Sequence, residues 1–138
     1  MNLKRRVLAI LGAFVAIFAA DFMIHDLLLG EFYHAHASWW RSAAEMNALM
    51  PFMFAGQMVL AVLLTVVYAK GYEPSKGGIG QGIRFGVLIG LLLQLPRTLM
   101  LYFVYPYPVS VLVIWGVGGL METILAGAAI GAIYKQAD

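Results

Sequence analysis

The chain has 138 residues, of which 62% are apolar or aromatic and 12% charged, with a formal net charge of +2. Water-soluble domains run at about 45 to 50% apolar and about 25% charged, so a soluble fold of this size would lack the polar side chains to cover its surface. With no cysteine, disulfide scaffolds, thiol catalysis, cysteine-based zinc sites and iron–sulfur clusters are excluded as well.

Crossing a hydrocarbon core of about 30 Å takes about 20 apolar residues of helix. Four stretches reach that length: 7–29, 51–69, 83–105 and 109–134. The sequence therefore predicts an all-α fold, one integral membrane domain built as a four-helix bundle. Lys4-Arg5-Arg6 followed by an apolar run to Ala19-Ala20 has the outline of a secretory signal. Phe22, Ile24, Leu27 and Leu28 prolong the run beyond the usual signal core of about 7 to 15 residues, so it reads as a retained first span.

The connection 30–50 is expected to hold a short interfacial helix, with Ser38 as N-cap, Trp39 and Trp40 at headgroup level and an Arg41–Glu45 pair one turn apart. Such a helix could lie along the bundle or cover a pocket beneath it. The loop 70–82 is basic and glycine-rich. Its run Gly78-Ile79-Gly80-Gln81-Gly82 lacks the preceding strand that a phosphate-binding loop requires, and nucleic acid is not an expected partner. Gly78, Gly82, Gly86 and Gly90 recur every four residues from this loop into the third span, and Gly119, Thr123, Gly127 and Gly131 repeat the spacing in the fourth. Small residues at this spacing let helices approach closely in lipid. They predict tight contact between the third and fourth helices, with Gly12, Ala16 and Ala20 as a milder version in the first. The same faces offer a surface for a homo-oligomer or a partner membrane protein. Pro96 predicts a kink beside Gln94, Arg97 and Thr98.

Orientation follows from basic residues. Lys4, Arg5, Arg6, Lys70, Lys76, Arg84 and Lys135 fall on one side of a four-span arrangement and Arg41 on the other, which places both termini in the cytoplasm of a bacterial inner membrane.

An ionisable residue within a span costs about 2.5 to 3.5 kcal/mol and usually faces the bundle interior. Counting rise per residue from the span ends, Asp21, Gln57 and Arg97 lie at similar depth in the outer half, His25 sits one turn above Asp21, and Glu122 lies deeper. With the Tyr102 hydroxyl on the face of Thr98, these residues outline an outward-facing polar pocket. Three readings follow. The first is binding or proton-coupled transport of a small polar or charged solute through Asp21, His25, Gln57, Arg97, Tyr102 and Glu122. The second is an accessory or assembly subunit in which Asp21 and Arg97 form a structural ion pair, whose breakage by Arg97→Ala would cost about 3 to 5 kcal/mol. The third is a zinc or copper site from His25, Asp26, Glu31, His34 and His36, residue types that suit those metals but at no recognised ligand spacing. No nucleophile-elbow or Ser-His-Asp pattern indicates an enzyme. Besides the lipid bilayer and a small polar ligand, the sequence implies no cofactor.

Overall fold

The computed structural model describes residues 3–134. Helix α1 (Leu3–Asp21) runs on through a π-helical segment, Phe22–Leu28, and is followed by a short α2 (Gly30–Ala35) and a 3-10 turn at Ala37–Trp39. Then come α3 (Ala43–Lys70), a 3-10 turn at Pro74–Lys76, α4 (Ile79–Val104) and α5 (Val109–Ile133). The described residues contain no strand. Four helices are long and apolar enough to cross a membrane: Leu3–Leu28, Ala43–Lys70, Ile79–Val104 and Val109–Ile133. The protein is thus an all-helical integral membrane protein. Lys135, counted above among the basic residues of one side, lies outside the described residues.

The second long helix begins eight residues before the expected position. Ser42 is its N-cap: its hydroxyl accepts from the Glu45 N–H at 3.3 Å while Glu45 accepts from the Ser42 N–H at 3.0 Å. This reciprocal capping box satisfies two otherwise orphaned amides, and it engages Glu45 with Ser42 instead of Arg41. The expected helix starting at Ser38 is replaced by α2 and the 3-10 turn. Pro51 and Pro96 both lie inside continuous helices.

α4 and α5 form the closest pair. A methyl group added to Gly82 would overlap the Gly127 carbonyl, one on Gly86 would meet the Thr123 carbonyl and the Ile124 backbone, and one on Gly131 would strike the Gly78 carbonyl. The two four-residue glycine series therefore face each other, as their spacing predicts, and let backbones meet where side chains would hold them apart. These faces are filled within the chain, so a partner helix has to use another surface.

α1 packs on α5 and on α3, whereas α3 and α4 scarcely meet. The bundle is closed at one end by Tyr68, which is 2% exposed and packs against Phe85 of α4, Tyr72 and Tyr134. Gln81 of α4 completes the closure: its amide donates to the Gly71 carbonyl at 3.1 Å and its carbonyl accepts from the Tyr68 hydroxyl at 3.4 Å. Ala9, Ala13 and Ile17 of α1, Ala61 and Leu64 of α3, and Ala126 and Ile130 of α5 fill the core next to this tyrosine end. At the opposite end Trp39, Trp40, Tyr107 and Trp115 pack ring against ring. Toward this tryptophan end the helices separate: every residue of α3 from 43 to 56 is exposed.

Candidate functional site

A cavity of about 830 Å³ occupies the space left by that separation. Its wall includes Asp21, His25 and Asp26 from the first helix, Gln94 and Arg97 from α4, and Trp115 and Glu122 from α5, with Tyr33, His34, Trp40 and Arg41 from the connection.

The π-helical segment explains how three titratable residues of one helix reach one cavity. In a regular α-helix successive residues turn by about 100°, so i+4 lies near the face of residue i and i+5 well away from it. The π segment closes with the Leu29 N–H donating to the Ile24 carbonyl five residues back, at 3.1 Å. Its wider turn brings both i+4 and i+5 round to the face of Asp21, so that His25 and Asp26 both line the cavity. Ile24, 7% exposed, borders the same cavity and packs where Gly118 has no side chain. Such local widenings recur at functional sites; nothing in the residue pattern announces this one.

Asp21 is held from below. The buried Gln57 amide donates to its Oδ2 at 2.7 Å, while Gln57 Oε1 is buried without a partner among the described residues. From above, His25 Nε2 stands 3.9 Å from Asp21 Oδ1, and His25 Nδ1 is 2.7 Å from the Tyr33 hydroxyl, which accepts from Trp115 Nε1 at 2.8 Å. Burial pushes the Tyr33 phenol above its ordinary pKa, against the smaller opposing effect of the Trp115 bond, so the hydroxyl keeps its proton. Trp115 only donates, so the Tyr33 oxygen is the acceptor of that bond, and the direction of the His25 Nδ1–Tyr33 bond follows the tautomer of the imidazole. One chain of contacts thus joins α3, α1, the connection and α5. Tyr33→Phe strips the acceptor from Trp115 and the hydrogen-bond partner from His25 Nδ1. We expect a loss of about 1 to 3 kcal/mol, read as a lower melting temperature in detergent with altered tryptophan fluorescence.

Arg97 and Glu122 are arranged differently. Neither forms an ion pair or hydrogen bond with another described residue, although Glu122 lies within electrostatic reach of both Asp21 and Arg97. The expected Asp21–Arg97 ion pair is not formed; Gln57 takes the place beside Asp21, and Arg97 is exposed on the cavity wall. The large cost expected for Arg97→Ala disappears with that pair. Gly119 of α5 makes room for the Gln94 side chain beside Arg97.

Of the six residues expected to form the pocket, Asp21, His25, Arg97 and Glu122 line it, Gln57 supports Asp21 from behind, and Tyr102 is 63% exposed outside it. Five residues past Arg97, Tyr102 is turned about 140° away from it around α4, and Tyr33 supplies the hydroxyl instead. The five residues of the expected zinc or copper site are not brought together. His25, Asp26 and His34 line the cavity, Glu31 and His36 do not, and His36 Nδ1 is engaged with the Phe32 carbonyl at 2.9 Å. Among the described residues no three His, Asp or Glu side chains are placed to hold a metal ion. Trp115, Trp40 and Met46 are wall residues that the polar reading of the sequence did not find, since an apolar or aromatic side chain does not stand out in a chain of this composition.

Comparison with protein-family models, characterised proteins and solved structures finds no match to this chain.

Proposed function

We propose that this is a small polytopic protein of a bacterial inner membrane whose cavity binds a small polar or charged solute and moves it with proton coupling through Glu122. The observation that carries this reading is the pairing state of two opposite charges within the spans. Arg97 and Glu122 have opposite sign, face one cavity and remain apart. Placing ionisable groups in a span is costly, and a purely structural role would repay that cost by closing them on each other. Left open in a cavity whose size falls within the usual range of about 300 to 1,000 Å³ for ligand sites, they are available to a solute. A carboxyl group so placed can take up or release a proton as a charged solute leaves or arrives. The accessory-subunit reading finds support only at Asp21 and Gln57, which are joined by a hydrogen bond.

For the proton step, the measurement is infrared spectroscopy of the purified protein across pH. A carboxylic acid C=O band that titrates should be present in the wild type and absent from Glu122→Gln, whose helical content and melting temperature stay unchanged. A band that ignores pH would make Glu122 a packed neutral acid and remove the coupling.

Orientation rests on charge. Lys4, Arg5, Arg6, Lys70, Lys76 and Arg84 lie toward the tyrosine end and Arg41 toward the other, so the tyrosine end and both termini face the cytoplasm and the cavity opens outward. A phosphatase fused after Asp138 is accordingly expected to be inactive, and a cytoplasmic fluorescent reporter at the same place bright; an active phosphatase reverses the orientation.

A further inference from the structure

The proposed solute site has a second opening, to the side. Ser42, Ala43 and Met46 at the start of α3 form one edge of the cavity, and Gln94 and Arg97 of α4 form the other. Between these edges the two helices do not pack; their joining contacts, through Tyr68, Gln81 and Phe85, are confined to the tyrosine end. Arg97 lies two turns inside the end of α4, about 10 Å along the axis, so the gap faces lipid chains. Leu92, Leu95 and Leu99, all more than half exposed, continue this apolar surface along α4. A solute arriving from water has no use for a lateral gap, whereas a molecule with acyl chains needs one.

Charge decides the head that fits. Arg97 and Glu122 present opposite charges to one volume without satisfying each other. A purely anionic head would leave the carboxylates facing it, and a purely cationic head would leave Arg97. A head carrying an ammonium and a phosphate answers both, the phosphate through the planar guanidinium fork and the ammonium through Glu122. Trp40 and Trp115 in the same wall offer indole faces that also favour an ammonium.

We propose that the cavity takes a zwitterionic amphiphile from the bilayer, its phosphate toward Arg97, its ammonium toward Glu122 and its chains leaving between α3 and α4. This rests on the reading of the cavity as a binding site and names the class of its ligand.

The test is native mass spectrometry of the full chain in detergent with three probes: dioleoyl phosphatidylethanolamine, dioleoyl phosphatidylglycerol and the chain-free glycerophosphoethanolamine. The wild type should hold one phosphatidylethanolamine, at least about tenfold more tightly than either of the others, the effect expected of one charge-assisted contact. Arg97→Gln and Glu122→Gln should each lose that preference, and Arg97→Lys should keep part of it. Ala43→Trp, which narrows the mouth without touching a charge, should weaken retention of the lipid, and it stands in should a charge variant fail to fold by circular dichroism. Equal binding of the two lipids, or a preference unchanged in both charge variants, overturns the proposal. Glycerophosphoethanolamine bound as tightly as its diacyl parent also overturns it, while leaving a site for a water-borne zwitterion. Binding of none of the three by folded protein overturns it too, and the infrared titration of Glu122 then judges the broader reading separately.

Discussion

Gly86→Val is expected to destabilise the protein by about 3 kcal/mol or more, the upper part of the range for overpacked interiors. A Cβ there meets the Thr123 carbonyl together with the Ile124 nitrogen and Cα. These are backbone atoms of a helix and cannot rotate aside. The only relief is to push α4 and α5 apart, and that separation would also undo the contacts of Gly82 with Gly127 and of Gly78 with Gly131. Gly12 provides the contrast: its added methyl would approach the Ile133 Cδ1 atom, the free end of a side chain that can change rotamer, so Gly12→Ala should cost less. Gly56 has nothing within 4 Å, and Gly56→Ala should gain up to about 1 kcal/mol from helix propensity alone. Thermal unfolding in one detergent would rank the three. If Gly86→Val melted with Gly56→Ala, the α4–α5 interface described above would be wrong.

That interface was legible because its signal is local and periodic. Glycines four apart in two segments imply two flat faces, and in lipid such faces gain most from meeting each other. The spans were legible for a similar reason, since length and hydropathy are one-dimensional properties. The start of α3 was also written in the sequence. Ser42-Ala43-Ala44-Glu45 matches the capping-box pattern, but Asn47 interrupts the apolar run and Pro51, at the head of the next one, is itself a common first residue of a helix. What could not be read is geometry that depends on helix shape and on which helices touch. The π-helical turn at Phe22–Leu28 places Asp26 beside His25, against the α-helical spacing used to place residues on faces. Depth estimates put Asp21, Gln57 and Arg97 at one level, yet level alone does not choose a partner. The choice fell to the order of packing: α1 lies against α3, so Gln57 reaches Asp21, and α4 lies against α5, which carries Arg97 to the far wall.

The two kinds of polar residue should separate experimentally, with stability following Asp21 and binding following Arg97. Gln57 is 7% exposed, and among the described residues its carbonyl oxygen is already unpartnered and its amide has one partner, Asp21 Oδ2 at 2.7 Å. Asp21→Leu therefore leaves a whole carboxamide buried without a hydrogen bond. Losing a bond to a charged group costs about 1.5 to 3 kcal/mol, and His25 loses its facing carboxylate in the same step. Replacing both partners by apolar groups of similar shape removes the desolvation penalty along with the bond, so Asp21→Leu with Gln57→Leu should recover most of the loss. Arg97→Gln behaves in the opposite way. With no ion pair to break and an exposed position on the cavity wall, it should shift stability by no more than about 0.5 kcal/mol, yet it removes the cavity's positive charge nearest Glu122 and should abolish selective ligand retention. Denaturant or thermal unfolding of the three variants against the wild type measures the first half, and ligand retention by mass spectrometry the second. An Arg97→Gln protein that unfolded as readily as Asp21→Leu would mean that the guanidinium holds the helices together, and the cavity would then be a structural charge cluster, not a site left open for a ligand.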